Sequence, residues 1–494
     1  MAFTKDRYDV KKCINRRKMK GICFCIFLYI DVFNLGFYGI IQLMGRHIRR
    51  IKACGVFNEE KGDTVSKIFK WLCLALAGLC MAVAAGCGGQ APAKQAVKEN
   101  GKTVVTFWHV YTKNFGAPVI KQMVDDFNKS QDKIIVKEVY NPDMYPGLMK
   151  NLQADVASGK APSVAMIGYN YLKYFDQNFK YVSPVDLEKE SQEKDYLEKN
   201  YLPNVLGLAK IGDKQVGLPF SISAPIIYYN PDLFKAAGLD PAQPPKTWED
   251  VRRVAKVIRD KTGEYGFYMQ EYQDNWATQG LLTSNGAEIL KDNKAVFASK
   301  ESEDAYRLYA DMVLKDKSAL HIAADEGIAS FYSGKVGILM GSSAKIGTVT
   351  QSSKFNVMAC PFPAFGDKDV KIPAGGNFLA VTAQSKEEQQ AAWEFIKFMM
   401  QPKYLAQWTI NTGYLPPRAE VIDDPAIKDA IVKTPALKVA FEELPLLSPW
   451  VAFPGDVGVK AEKMLADVRD EILSGGEPAA ILKKAEDDLN ALMK

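Results

Sequence analysis

The chain has 494 residues, 47% of them hydrophobic, with a formal charge of +5, eight cysteines and three histidines. That apolar content is ordinary for a globular protein, and the excess of basic charge sits largely in the amino-terminal segment, so composition gives no sign of nucleic-acid binding. Seven of the eight cysteines lie at or before Cys87, which excludes a disulfide framework in the later chain and leaves stability to a hydrophobic core.

The first ordered signal in the chain begins at Lys67, in KIFKWLCLALAGLCMAVAAGCGGQAPAKQ. Lysines precede an apolar run from Trp71 to Ala85, too short for a bilayer span of roughly 20 residues, and small residues Ala84, Ala85 and Gly86 lead into Cys87. This is the order of an export signal: 65–86 reads as a signal peptide, Cys87 as the first mature residue and 87–100 as a flexible tether. An ordinary membrane anchor helix with a chance cysteine is the competing reading. Residues 1–64 carry basic clusters and an apolar stretch broken by Asp31 and Asn34, a poor membrane helix. They read as an upstream extension outside the native protein, with Val65 as a GTG start and the codons for Asn58 to Gly62 able to form a ribosome-binding site. If that segment is translated, 22–43 and 71–86 instead give a two-helix membrane sensor.

From Thr103 a strand-then-helix rhythm begins. Thr103 to Trp108 reads as a buried strand, and Ala117 to Asn128 as a helix with Val119, Met123, Val124 and Phe127 on one face. Ile134 to Tyr140 is a second strand, LMKNLQADVAS a helix closed by Gly159, and SVAMIG a third strand. A second series follows Pro219. Its helices are TWEDVRRVAKVIRD, capped by Thr247 with Asp250 as capping-box partner, then DAYRLYADMVLK and AAWEFIKFMMQ, with carboxy-terminal helices from Lys460 to Leu492 joined at SGGEP. So many β-α units exceed one sheet and predict two α/β lobes facing a cleft.

Enzymatic signatures are missing. The mature region has no GxGxxG, Walker, HExxH or CxxC pattern, and its two histidines, His109 and His321, lie far apart in sequence with no triad around them. His109, after a strand, reads as a hydrogen-bonded structural residue. Asp125 with Asp126 and Glu387 with Glu388 read as solvated helix faces, although paired carboxylates of a secreted carbohydrate-active enzyme stay open as the alternative. No cofactor or metal is expected.

Aromatic and small polar residues collect instead at predicted strand ends and loops: Trp108 with His109, Tyr145, Tyr169 with Tyr171, Ser221 and Ser223, Tyr272 with Trp276, Ser342 and Ser343, Gly375 with Gly376, and Tyr414. Aromatic faces stack on the C–H patches of sugars, while hydroxyls and backbone amides bond their hydroxyl groups. Such residues at the carboxyl ends of strands lie where open α/β sheets hold ligands. Trp248, Trp393 and Trp408, on helical patterns, read as core.

Taken together, GLPFSISAPIIYYNPDLFKAAGLDPAQPPKTWEDV, TFWH at Thr106, FYSGKVGILMGSS at Phe331, AAWEFIKFM and NTGYLPPR at Asn411 are similar, in the same order, to extracellular solute-binding proteins (family 1) of bacterial ABC importers. The AAGC segment resembles the lipobox of bacterial lipoproteins, which implies acylation of Cys87. The likeness runs over nearly all of 103–494 and is nearest to members that bind glycerol 3-phosphate or sugars. It implies a type II periplasmic-binding-protein fold, with 101–223 and 338–376 in the first lobe, 224–337 and 377–494 in the second, and three hinge crossings. It implies ligand contacts from Trp108, Tyr145, Tyr169, Ser223, Tyr272, Trp276, Ser342, Gly376 and Tyr414, ABC permease subunits as partners, and a lipid-anchored monomer outside the cytoplasm. Two departures bear on the ligand. Tyr169 stands where glycerol-phosphate binders have an acidic residue, and SPWVAFPGD, without arginine, stands where they have a phosphate-binding arginine. Loss of a bidentate guanidinium favours a less charged ligand.

Overall fold

The computed structural model describes residues 95–494 other than 114, 271–273, 455–456 and 494. The expectations for 1–64, the signal at 65–86, acylated Cys87 and the contact from Tyr272 fall outside the described residues. The tether ends sooner than expected, because Lys98–Glu99 already pairs antiparallel with Lys102 and Thr103.

Two mixed sheets organise the described residues. In the first, strand Lys102–His109 lies between parallel neighbours Ile134–Tyr140 and Val164–Gly168; Gly375–Val381 then runs antiparallel between Val164–Gly168 and Leu218–Ser223. In the second, Tyr265–Met269 pairs parallel with Ala319–Leu320 and Val336–Ser342, and Pro225–Tyr229 runs antiparallel between Val336–Ser342 and Met358–Cys360. Each sheet thus takes one strand from chain that has just left the other, and these exchanged strands are its antiparallel members. Burial on both faces explains their near-continuous apolar sequences, as in the fully buried PIIYY and GGNFLAV.

The exchange corrects the expected division of the chain. Val336–Ser342 and Met358–Cys360 belong to the second sheet, not the first, and Gly375–Val381 to the first, not the second. Helix Lys386–Met399 also packs on the first sheet, whereas Gly458–Leu473 and Pro478–Leu492 pack on Lys300–Leu314 beside the second. The chain passes between sheets at Ala224, between Cys360 and Gly375, and through the helices Pro425–Lys433 and Ala436–Glu442. Its first crossing is fastened to its neighbours. Ser343 Oγ accepts from the Ala224 amide, the Ser343 amide donates to the Ala224 carbonyl, and the Leu415 amide donates to the Ile222 carbonyl.

Local chemistry explains the elements. Thr247 Oγ1 accepts from the Asp250 amide at 3.1 Å and Gly263, at φ 78°, closes that helix. The Asp250 carboxylate returns to the backbone amides of Lys246 and Thr247, the second being the bond the expected box calls for. Ile120, rather than half-buried Val119, completes the apolar face of Ala117–Ser130. Trp248, Trp393 and Trp408 are fully buried, as their helical spacing predicts.

Candidate ligand-binding site

The carboxyl ends of the first sheet carry a buried cluster of hydroxyls. Asn377, at the turn-in of the exchanged strand, donates through Nδ2 to the hydroxyls of Tyr111 (2.7 Å) and Tyr145 (3.1 Å), and Tyr111 donates to Ser221 Oγ at 2.6 Å. Tyr414 closes the group, its ring parallel to Trp408 within 4° at 5.9 Å, while Trp408 meets Tyr111 edge-on at 4.7 Å. The αL cap at Gly413 swings Tyr414 back onto the cluster, where the added Cβ of any other residue would stand 2.4 Å from the Ser343 carbonyl oxygen. Burial raises the pKa of Tyr111, Tyr145, Tyr169 and Tyr414, so all four stay neutral. Among the described residues the Tyr169 hydroxyl and Asn377 Oδ1 have no hydrogen-bond partner, although both are buried.

Facing this cluster are residues at the start of helix Trp276–Ser284. Trp276 Nε1 donates to the Pro373 carbonyl at 3.0 Å, and a Cβ on Gly375 would lie 3.0 Å from that nitrogen and 2.5 Å from Ser223 Oγ. Ser223, Gly375 and Trp276 therefore meet at one point. Trp450 stands 6.5 Å from Trp276, centroid to centroid, and donates from Nε1 to Asn275 Oδ1. Glu462 Oε2 accepts the Asn275 amide at 2.9 Å, and Asp274 Oδ1 the Trp276 amide at 3.1 Å. Burial, then the neighbouring Asp274 carboxyl, pushes the Glu462 pKa up to about 8, and burial lifts Asp274 to about 6. A groove of about 420 Å³ runs along the junction, lined by Leu172, Lys173 and Ile211 on one side and Asn293, Pro449 and Trp450 on the other.

Of the sequence-predicted residues, Tyr145, Tyr169 and Tyr414 come together in the hydroxyl cluster, and Ser223 and Trp276 meet across from it. Gly376 is fixed by packing: its φ is 110°, and a Cβ there would sit 2.0 Å from the Ser221 carbonyl oxygen. Ser342 Oγ accepts the Ala344 amide as a turn cap, which leaves its hydroxyl hydrogen to donate. Trp108 is buried in the first sheet between Ala165 and Val139 on adjacent strands. His109 Nδ1 accepts the Tyr111 amide and burial lowers its pKa to about 4, a structural role that orients Tyr111. Asp125 pairs with Lys121 and Glu387 with Lys98 on exposed faces, while Glu388 accepts from buried Ser163.

Sequence reading missed Tyr111, Asn170, Asn377, Trp450 and Glu462, whereas Asn275 lies in the Tyr272 to Trp276 segment that it singled out. The strand-end signal that marked Trp108 and Tyr169 extends to Tyr111 and Asn170, and Asn377 follows the paired glycines directly. Nothing local marks Glu462, a charged residue within a helical pattern.

Residues 122–437 match the profile of a family described as bacterial extracellular solute-binding protein. The sn-glycerol-3-phosphate-binding periplasmic protein UgpB of Yersinia pestis bv. Antiqua (strain Antiqua) is 28% identical over 330 residues, 64% of this chain and 74% of that protein. Among solved structures, a cyclic alpha-maltosyl-1,6-maltose binding protein from Arthrobacter globiformis superposes with a TM-score of 0.70 at 22% identity, covering 80% of this chain and 100% of that one. UgpB from Mycobacterium tuberculosis, in complex with glycerophosphocholine, gives a TM-score of 0.69 at 19% identity over 80% and 99% of the two chains. The shared fold is the two-lobed α/β fold of periplasmic binding proteins.

Proposed function

Because the chain belongs to the bacterial extracellular solute-binding protein family, we propose that it is the substrate-binding component of an ABC importer that captures a carbohydrate-type solute and passes it to membrane permease subunits. The protein works outside the cytoplasm and binds its solute without converting it. The observation that carries the choice of solute is the neutral wall of Tyr111, Tyr145, Tyr169, Tyr414 and Asn377 opposite Trp276. Tyrosine and amide groups exchange hydrogen bonds with sugar hydroxyls, and the indole face takes their C–H side. The lining comes from both sheets, so only the closed arrangement makes every contact, and solute selects it. Acylated Cys87 tethers a monomer to the membrane, and each buried methylene of its chains contributes about 0.8 kcal/mol to attachment.

Calorimetric titration of the purified protein with a panel of sugars, oligosaccharides and glycerol phosphates tests the reading, with the solute recovered afterwards. Binding of a panel member returned unchanged is the expected result; turnover of that member would replace this function with the carbohydrate-active enzyme. Incorporation of labelled palmitate, lost in Cys87→Ala, checks the anchor.

A further inference from the structure

The part of the site farthest from the tyrosines is built from groups that the function above leaves unassigned. Glu462 is 8% exposed and Asn275 2% exposed. Glu462 Oε2 accepts the backbone amide of Asn275, while Oε1 has no hydrogen-bond partner among the described residues. Because Trp450 Nε1 donates to Asn275 Oδ1, the orientation of the Asn275 side-chain amide is fixed, and its Nδ2 is the end without a partner among the described residues. On the opposite side Asn170 follows Tyr169; its Oδ1 is also buried without a partner, and its side chain reaches the Glu462 carboxyl.

Contacts tie these groups to the hydroxyl cluster. A Cβ placed on Gly168 would lie 2.8 Å from the Tyr145 ring and 2.9 Å from Asn170 Oδ1, so one small space touches both. A continuous line of buried polar atoms therefore runs from Asn377 through Tyr145 and Asn170 to Glu462 and Asn275. Burying such atoms without partners is costly, and the four unpartnered atoms along that line, Asn377 Oδ1, Asn170 Oδ1, Glu462 Oε1 and Asn275 Nδ2, point to a ligand that satisfies them.

We propose that Glu462, Asn275 and Asn170 form a subsite that reads the hydroxyls of a neutral sugar or polyol and rejects an anionic end. The inference rests on the solute-binding function proposed above and narrows it. The set combines acceptors Asn170 Oδ1 and, when ionised, Glu462 Oε1 with donor Asn275 Nδ2, and a hydroxyl, being both donor and acceptor, matches such a set. A phosphate accepts only, and would lie against Glu462 and Asp274. Arg469, 2% exposed, bonds Asp470 at 2.8 Å and its charge holds Asp274 below the value burial alone would give, so the rejection of an anion falls to Glu462. The indoles of Trp276 and Trp450 supply apolar walls.

The test titrates wild-type protein and Glu462→Gln at pH 9, above the value of about 8 to which burial raises Glu462, with neutral probes (glucose, maltose, glycerol) and phosphate probes (sn-glycerol 3-phosphate, glucose 6-phosphate, glycerophosphocholine), with melting curves run on both proteins. Gln keeps the shape of the side chain and removes a buried acid, so the variant folds. The expected result is that wild type takes at least one neutral probe about tenfold more tightly than any phosphate probe, and that Glu462→Gln narrows this ratio about tenfold, the size of one charged hydrogen-bonding group. A phosphate probe bound as tightly as the best neutral one, or a ratio unchanged in Glu462→Gln, overturns the inference and leaves the solute-binding function standing. Absence of binding to every probe removes the carbohydrate assignment itself, and the inference with it.

Discussion

The two walls of the site solve the burial of polar groups differently. On the first sheet, Asn377 Nδ2 bonds the hydroxyls of Tyr111 and Tyr145, the tyrosines stay neutral, and Tyr111 and Tyr414 rest on the buried face of Trp408. On the opposite wall, Glu462 and Asp274 are carboxyls whose pKa values burial has moved into the working pH range. The comparison teaches that the first wall is a fixed template, insensitive to pH, whereas the second changes charge under mild conditions.

The largest effect should come from removing the support of the fixed wall. Trp408→Ala deletes a fully buried ring that packs on Tyr111, Phe220 and Tyr414. A stability loss of about 3–5 kcal/mol is expected from the transfer and cavity costs, measurable by urea unfolding, with solute binding lost in parallel. A variant that stayed within about 1 kcal/mol of wild type would show that the tyrosines need no such backing.

Next in size is the indole of the opposite wall. Trp276→Ala should weaken solute binding about a hundredfold, as expected for a central aromatic anchor. Because Trp276 is only 4% exposed, a fall in melting temperature will accompany the loss, and affinity must be measured well below the transition. Unchanged affinity would remove the helix Trp276–Ser284 from the site.

The contrast in titration sharpens the comparison through pH. Glu462 rises from 4.5 to about 8, Glu443 from 4.5 to about 7 and Asp274 from 3.8 to about 6, each chiefly through burial. A carboxyl with a raised folded-state pKa binds its proton more tightly folded than unfolded, so its stabilising contribution is complete below the unfolded value. It is lost as pH climbs to the folded one. His109, lowered to about 4, works in the opposite sense below its ordinary value of 6.5. The clean window is therefore pH 6.5 to 8, where stability should fall by an amount on the order of 1–2 kcal/mol. Glu462→Gln should flatten that fall in thermal melts, and an identical slope in the variant would place the titration elsewhere.

How much of this was legible in the sequence follows from the range of the forces involved. Strand and helix order, the Thr247 cap and the buried tryptophans were readable because periodicity and capping act over a few residues. Tyr145, Tyr169, Ser223, Trp276 and Tyr414 could be named as candidates because strand ends and turns carry their own residue signature. The exchanged strands were not: Pro225–Tyr229 and Gly375–Val381 are apolar throughout, and nothing in such a run says which of two sheets completes it. Glu462 was hidden for a related reason. A charged residue in an amphipathic helix reads as solvated unless the partner surface is known, and that surface is supplied by Asn170 and Asn275, each about 200–300 residues away along the chain.

The smallest effect separates two tyrosines of the fixed wall that look equivalent. Tyr145→Phe removes a hydroxyl that accepts from Asn377 at 3.1 Å, yet Asn377 Nδ2 keeps its shorter bond to Tyr111 at 2.7 Å. Tyr111→Phe takes away that bond and also the donor to Ser221 Oγ, leaving two groups, each less than 1% exposed, to find new partners. Stability should accordingly fall by about 1 kcal/mol or less for Tyr145→Phe and by about 2 kcal/mol for Tyr111→Phe. Solute affinity should follow the reverse order, because Tyr145 is half-buried at the edge of the cluster while Tyr111 is 1% exposed behind it. Paired denaturation and titration of the two variants decides the matter: equal losses in both measurements would mean that Tyr145 belongs to the scaffold and that the solute meets the wall only through Tyr169, Tyr414 and Asn377.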